Sequence, residues 1–132
     1  MLTPLIHRSY LLLSAVGVLV IALSYGIAPA AILPSILKVT IIDKDLIHIF
    51  RAVMGLYLAF TILWVVGAFS PRLTWTAIFS EVVFMAGLAV GRVLSLLIDG
   101  LPSILLTVYL ILEIILATVG IILLRNTSIK TT

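Results

Sequence analysis

Residues 73–124 read LTWTAIFSEVVFMAGLAVGRVLSLLIDGLPSILLTVYLILEIILATVGIILL, two long apolar runs separated by the turn Asp99-Gly100-Leu101-Pro102. Each run supplies the roughly 20 residues that a helix needs to cross the hydrocarbon core of a bilayer. Glycine in such a turn can take positive φ, and proline suits the first turn of the next helix. This stretch therefore predicts two membrane-spanning helices over about 73–97 and 101–124.

The first half of the chain repeats this organisation. An apolar run from Tyr10 to Ala28 is followed by a segment with two prolines, residues 29–45, which is too broken to span and is expected to lie as a short amphipathic piece in the interface. A second apolar run ends at the turn Ser70-Pro71-Arg72. We therefore predict an all-α fold, a single membrane domain over 1–132 forming a four-transmembrane-helix bundle with spans at about 10–28, 46–69, 73–97 and 101–124.

The first span has an alternative interpretation. Ala28-Pro29-Ala30 has the small-x-small pattern of a processing site, so residues 1–28 could also be a cleavable signal peptide. The rest of the chain, however, contains three more apolar spans and no exported soluble domain, which favours a retained transmembrane helix.

The composition supports a membrane environment. Of the 132 residues, 64% are hydrophobic and only 10% are charged, whereas a soluble domain carries about a quarter charged residues. The chain has no cysteine, which excludes disulfides, thiolate metal sites and thiol redox chemistry. The net charge of +3 comes from basic residues scattered singly near helix ends, which favours contact with lipid head groups over nucleic-acid binding.

Charge also predicts orientation. With four spans, both termini and the Ser70 turn share one side, which carries Arg8, Arg72, Arg125 and Lys130 and no acid. The opposite side carries two lysines balanced by acids, namely Lys38 and Lys44 against Asp43, Asp45 and Asp99. The positive-inside rule then places both termini in the cytoplasm.

Four charged residues fall inside the predicted spans: Arg51, Glu81, Arg92 and Glu113. An ionised side chain there costs about 2.5–3.5 kcal/mol on insertion scales, so we expect these groups to face inward and pair. Because arginine stays charged and offers a fork of donors, Glu113 is expected to meet an arginine of a neighbouring helix. Glu81 has no basic residue at its depth and is expected to be neutral or bonded to a hydroxyl such as Ser14 or Thr61.

These residues predict a polar cluster in the half of the bundle away from the termini, formed by Tyr25, His48, Arg51, Arg92, Ser95, Asp99 and Glu113. On the second span, one face is expected to approach other helices closely, and it carries His48, Arg51, Gly55, Ala59 and Ile62. Glu81 and Glu113 are the candidate titrating acids. The alternative is that the buried charges only fix the register of the bundle.

Several short patterns occur together along the chain: Tyr25-Gly26-x-x-Pro29, Arg51-Ala52-x-x-Gly55-Leu56-Tyr57, Gly91-Arg92-x-x-Ser95-x-x-x-Asp99-Gly100-x-Pro102 and Glu113. In this order they resemble an uncharacterised family of small bacterial four-helix integral membrane proteins, a domain-of-unknown-function family. The resemblance covers nearly the whole chain and implies a bacterial inner-membrane protein, with no activity, substrate or cofactor attached. A weaker likeness to DoxX-type four-helix membrane proteins rests on the Arg-x-x-x-Gly pattern of the second span.

Three functions remain open at the level of sequence. The first is a non-enzymatic binding or accessory component for a lipophilic small molecule or another membrane protein. The second is an oligomeric proton- or ion-coupled transporter that titrates Glu113 or Glu81. The third is an intramembrane enzyme on a lipophilic substrate, which we rank last because no metal-ligand set, nucleophile–base pair or phosphate-binding loop is present. Membrane lipid and a homo-oligomer are the other expected partners, and the sequence names no cofactor.

Overall fold

The computed structural model of the chain describes residues 2–41 and 43–128, and these form five helices without a strand. The helices are α1 (Leu2–Gly26), α2 (Pro29–Leu37), α3 (Lys44–Phe69), α4 (Pro71–Asp99) and α5 (Ile104–Ser128). Four of them, all except α2, are long and apolar enough to cross a membrane. The predicted all-α bundle of four membrane helices is confirmed.

The boundaries of the helices follow local chemistry. Asp43 caps α3 by accepting a hydrogen bond from the backbone N–H of Asp45 at 2.9 Å. Ser70 ends α3, and Pro71 opens α4 at the position where a missing N–H costs nothing. Gly100 ends α4 with a φ of 89°, a conformation that favours glycine because it has no Cβ.

Several boundaries differ from the sequence-based prediction. α1 begins at Leu2, so His7 and Arg8 lie within the first helix instead of preceding it. The same helix ends at Gly26, and Pro29 is the first residue of the short helix α2. α5 begins at Ile104, so Pro102 lies in the connection rather than in the first turn.

The helices pack unevenly around the bundle. α1 packs along α3, α3 against α4 and α4 against α5, whereas α1 and α5 touch at only a few residues. Gly26 of α1 lies so close to Met54 of α3 that a Cβ would overlap its side chain. The bundle is therefore closed on three sides and loosely joined on the fourth, between α1 and α5.

An aromatic core fills the centre. Trp64 is completely buried and packs against Phe84 and Phe60, with ring centroids 5.3 and 6.0 Å away. Its indole N–H donates to the Ser80 hydroxyl at 3.1 Å, which satisfies the one polar atom of the side chain. α2 adds a smaller cluster through Leu33, which is fully buried beside Tyr25 and Ile41.

The two ends of the bundle carry different segments of the chain. The α2 end carries α2 and residues 100–103, and the terminal end carries the Ser70 turn and the start of α1. Large apolar side chains are exposed along all four long helices, as expected of surfaces that face lipid.

Candidate functional site

A buried ion pair joins α4 to α5 in the half of the bundle near the α2 end. The Nε of Arg92 donates to both carboxylate oxygens of Glu113, at 2.8 and 2.9 Å. The two side chains are 21% and 8% exposed. Arg92 lies about 10 Å along α4 from its end at Asp99, and Glu113 about 14 Å from the start of α5, so the antiparallel helices bring them to nearly the same depth. The predicted pairing of Glu113 with an arginine is confirmed.

Three tyrosines surround this ion pair. The Tyr109 ring centroid lies 5.6 Å from the Arg92 Cζ, within cation–π range. The Tyr25 side chain lies near Arg92, and both residues line the same cavity. Tyr57 is buried beside Tyr25, with the ring centroids 6.3 Å apart. Because α1, α3 and α5 each contribute one tyrosine, Arg92 is the residue at which the helices of this half converge.

The predicted cluster included Tyr25 but not Tyr57 or Tyr109. A signal for Tyr109 was present, since it precedes Glu113 by one helical turn and so shares its face of α5. Tyr57 ends the Arg51-Ala52-x-x-Gly55-Leu56-Tyr57 pattern, but its place beside Tyr25 depends on the packing of α3 against α1 and α4.

A groove runs between α1 and α5, where the bundle is loosely joined. This lateral groove has a volume of about 350 Å³. Its walls are apolar side chains of the two helices, and Arg92, Glu113 and Ser14 are among its few polar residues. A pocket of this size, mostly apolar with a few convergent polar groups, has the character of a small-molecule site.

A second cavity, of about 610 Å³, lies at the α2 end between α4 and α5. We call it the α2-end cavity, and its polar lining residues are Tyr25, Arg92, Ser95, Asp99 and Thr107. The Ser95 hydroxyl donates to the Asp99 carboxylate at 2.6 Å. Leu88 and Arg92 line both this cavity and the lateral groove, so these two side chains form the border between them.

Two residues of the predicted cluster lie elsewhere. Arg51 and His48 are exposed on the outside of α3, and neither lines the two cavities. Among the described residues the only ion pair is that of Arg92 and Glu113. Contrary to our expectation, Arg51 does not take part in it.

Arg51 and His48 lie outside the site because of the way α3 is rotated about its own axis. Tyr57, Thr61 and Trp64 form its buried face. At about 100° per residue, Arg51 lies about 120° around the helix from Tyr57, and His48 lies on the opposite side. The expected close-packing face of His48, Arg51, Gly55, Ala59 and Ile62 is exposed along its whole length.

A second buried acid lies in α4 towards the terminal end. The Glu81 side chain is completely buried, and it contacts the Tyr10 hydroxyl and accepts a hydrogen bond from the Ser14 hydroxyl at 3.0 Å. The predicted bond to Ser14 is confirmed, whereas Thr61 bonds instead to the Tyr57 backbone carbonyl at 2.9 Å. Tyr10 was missed, although it lies one turn before Ser14 on the same face of α1.

The hydrogen bonds around Glu81 indicate its protonation state. The Tyr10 hydroxyl has one proton and lies within bonding distance of both Glu81 and, at 2.8 Å, the Leu116 backbone carbonyl. If the Tyr10 hydroxyl donates its proton to the Leu116 carbonyl, its hydrogen bond with Glu81 needs a proton from Glu81. A neutral Glu81 carboxyl group has that proton, and a carboxylate does not. No cation pairs with Glu81 among the described residues, so a neutral carboxyl also avoids a buried, uncompensated charge.

The described residues contain no group of three or more His, Cys, Asp or Glu side chains that could hold a metal ion. The polar residues of the site make hydrogen bonds and an ion pair, and the residues around them are mostly apolar.

Fold and site together define a class: a multi-pass membrane protein built as a four-helix bundle with one buried Arg–Glu ion pair. The chain matches a family model described as Domain of unknown function (DUF4345) over residues 6–124. Because this match covers most of its length, the protein belongs to that family, which confirms the resemblance to an uncharacterised family. No curated protein and no solved structure matches the chain.

Proposed function

We propose that this protein is a non-enzymatic binding component that takes up a lipophilic small molecule from the membrane. The apolar part of the ligand would occupy the lateral groove, and a polar head group would lie beside Arg92. The observation that carries this proposal is the position of the Arg92–Glu113 pair on the wall of a groove between two helices that scarcely touch.

The groove is accessible from the side that lipid occupies. Its α1 wall includes Leu13, Val16 and Val20, which are among the exposed apolar residues of that helix. A molecule dissolved in the bilayer could therefore enter between α1 and α5 without passing through water.

Arg92 has donors left for a ligand. A guanidinium carries five N–H groups, and both bonds to Glu113 come from Nε. The head group would therefore carry an acceptor oxygen, as a carbonyl, ester, phosphate or carboxylate does. Since Glu113 already balances the charge of Arg92, the ligand does not have to be an anion.

For localisation, we propose a bacterial inner membrane with both termini in the cytoplasm. The support is the distribution of charge: Arg8, Arg72 and Arg125 lie at the terminal end, which has no acidic residue among those described. Lys130, the fourth basic residue of this prediction, lies outside the described residues.

The test uses a photoreactive fatty acid with a diazirine in its chain, added to the purified protein in detergent. We expect cross-links on residues of α1 and α5 that line the groove, and competition by the same fatty acid without the diazirine. Mass spectrometry of the digested protein locates the cross-links.

Two glycines provide a matched pair of variants. Gly17 lines the groove, and a Cβ built on it meets nothing within 4 Å, so Gly17→Leu should fill the groove without disturbing the packing. Gly55 is equally open but lies on the exposed face of α3, so Gly55→Leu is the control. Labelling should fall in the first variant only; equal labelling of both would contradict binding in the groove.

A further inference from the structure

We infer that the ligand of the lateral groove is an amphiphile with a zwitterionic head, whose ammonium group lies in the α2-end cavity near Asp99. This inference rests on the proposed function and adds the chemical class of the head group. It depends on how donors and acceptors are distributed along the α2-end cavity.

Near the mouth of this cavity the hydroxyl protons are already used. Ser95 donates to Asp99 at 2.6 Å, and Thr107 donates to the Ser103 backbone carbonyl at 3.2 Å. The Asp99 carboxylate has room for further bonds, since the one from Ser95 is the only hydrogen bond it accepts within residues 2–41 and 43–128. The mouth therefore presents spare acceptors, and the ligand group that fits there is a donor.

Deeper in the cavity, the protein presents spare hydrogen-bond donors instead of spare acceptors. Arg92 has N–H groups beyond the Nε that Glu113 occupies, and arginine has no acceptor atom. Tyr25 lines the same cavity near Arg92, and because arginine has no acceptor atom, the Tyr25 hydroxyl cannot donate its proton to it. The ligand group that fits at this depth is an acceptor.

The charges that line the α2-end cavity also favour an ammonium group at its mouth. Arg92 is balanced by Glu113, so Asp99 leaves the cavity with an excess negative charge. An anionic head would be repelled at the mouth, whereas an ammonium would be attracted. Arg92 and Asp99 are about 10 Å apart along α4 at 1.5 Å per residue, and their side chains reach into the same space. A phosphate or carbonyl near Arg92 with an ammonium near Asp99 fits this arrangement.

The experiment compares three photoreactive lysophospholipids with the same diazirine acyl chain and different heads: ethanolamine, choline and glycerol. Ethanolamine offers N–H donors and a positive charge, choline a charge without N–H donors, and glycerol hydroxyl donors on an anionic head. The purified full-length chain should bind the ethanolamine lipid about tenfold more tightly than the glycerol lipid, with choline between them.

Asp99→Asn should abolish the preference, so that the ethanolamine lipid labels the groove no more strongly than the glycerol lipid does. Asp45→Asn is the matched control, because Asp45 is an exposed acid at the same end that does not line the cavity. A preference that survives Asp99→Asn, or that Asp45→Asn removes equally, would overturn the assignment of the ammonium to Asp99. Equal groove labelling by all three lipids would overturn the zwitterionic head but not groove binding. Absence of groove labelling by every probe, the fatty acid included, would overturn both proposals.

Discussion

Arg92 and Glu113 are joined through a single nitrogen of the guanidinium, with the Nε of Arg92 2.8 Å from one carboxylate oxygen and 2.9 Å from the other. This arrangement neutralises two charges inside the membrane while leaving the terminal N–H groups of Arg92 available. The ion pair thus fixes α4 to α5 and, on our proposal, also presents donors to a ligand.

The ion pair should be a major contribution to stability. Arg92→Leu leaves Glu113 buried and unpaired, and removing one partner of a buried pair costs about 3–5 kcal/mol. Lys44→Leu and Arg51→Leu are the controls, since both residues are exposed and without an ion pair among the described residues. Unfolding of the purified variants in detergent measures the difference. Similar losses in all three variants would mean that the pair does not stabilise the bundle.

The double variant Arg92→Leu/Glu113→Leu distinguishes two causes of lost stability. One is the unpaired charge that Arg92→Leu leaves on Glu113, and the other is the loss of the Arg92–Glu113 interaction itself. Because the double variant removes both charges, it should recover much of the stability that Arg92→Leu loses. A double variant less stable than Arg92→Leu alone would show that the pair is favourable beyond mutual neutralisation. The free energies of unfolding of the wild type, the two single variants and the double variant complete the cycle.

Glu81 should behave as a neutral hydrogen-bonding group. Glu81→Gln keeps a donor and an acceptor for Tyr10 and Ser14, so we expect a loss of less than about 1 kcal/mol, whereas Glu81→Leu leaves those hydroxyls without their partner and should cost about 1–3 kcal/mol. Unfolding in detergent distinguishes the two variants. If the glutamine and leucine variants were equally unstable, a neutral carboxyl would not describe this site.

Gly120 should not tolerate a larger residue. A Cβ at this position would overlap the Tyr10 hydroxyl and a methyl group of Val82, so Gly120→Ala should destabilise the bundle by about 1–3 kcal/mol. At Gly55 a Cβ meets nothing within 4 Å, and there Gly55→Ala should be neutral or stabilise the helix by up to about 1 kcal/mol. Thermal unfolding of the pair is the measurement, and equal effects would contradict the close approach of α1, α4 and α5.

The proposed orientation can be tested by cysteine labelling, because the chain has no native cysteine. Ser103→Cys reports on the connection between α4 and α5, and Asn126→Cys reports on the far end of α5. In intact bacterial cells a membrane-impermeant maleimide should label the first variant, and the second only after the inner membrane is permeabilised. The reverse pattern would place the termini outside the cytoplasm.

The sequence alone determined the number and kind of the long helices. Runs of apolar residues interrupted at Ser70 and Asp99 leave no other way to satisfy the backbone in lipid, so composition and length predict four spanning helices. It also predicted that Glu113 must meet an arginine, because an isolated charge at that depth is costly.

Only the tertiary structure decided which arginine it meets. Arg51 and Arg92 are equivalent candidates in sequence, and the choice depends on the rotation of α3, which buries Tyr57 and Trp64 and turns Arg51 outward. Large aromatic side chains gain the most from tight packing, so they set that rotation, and the charged residue is carried to the other face. The gap between α1 and α5 likewise depends on how all four helices pack together, which no local sequence pattern encodes.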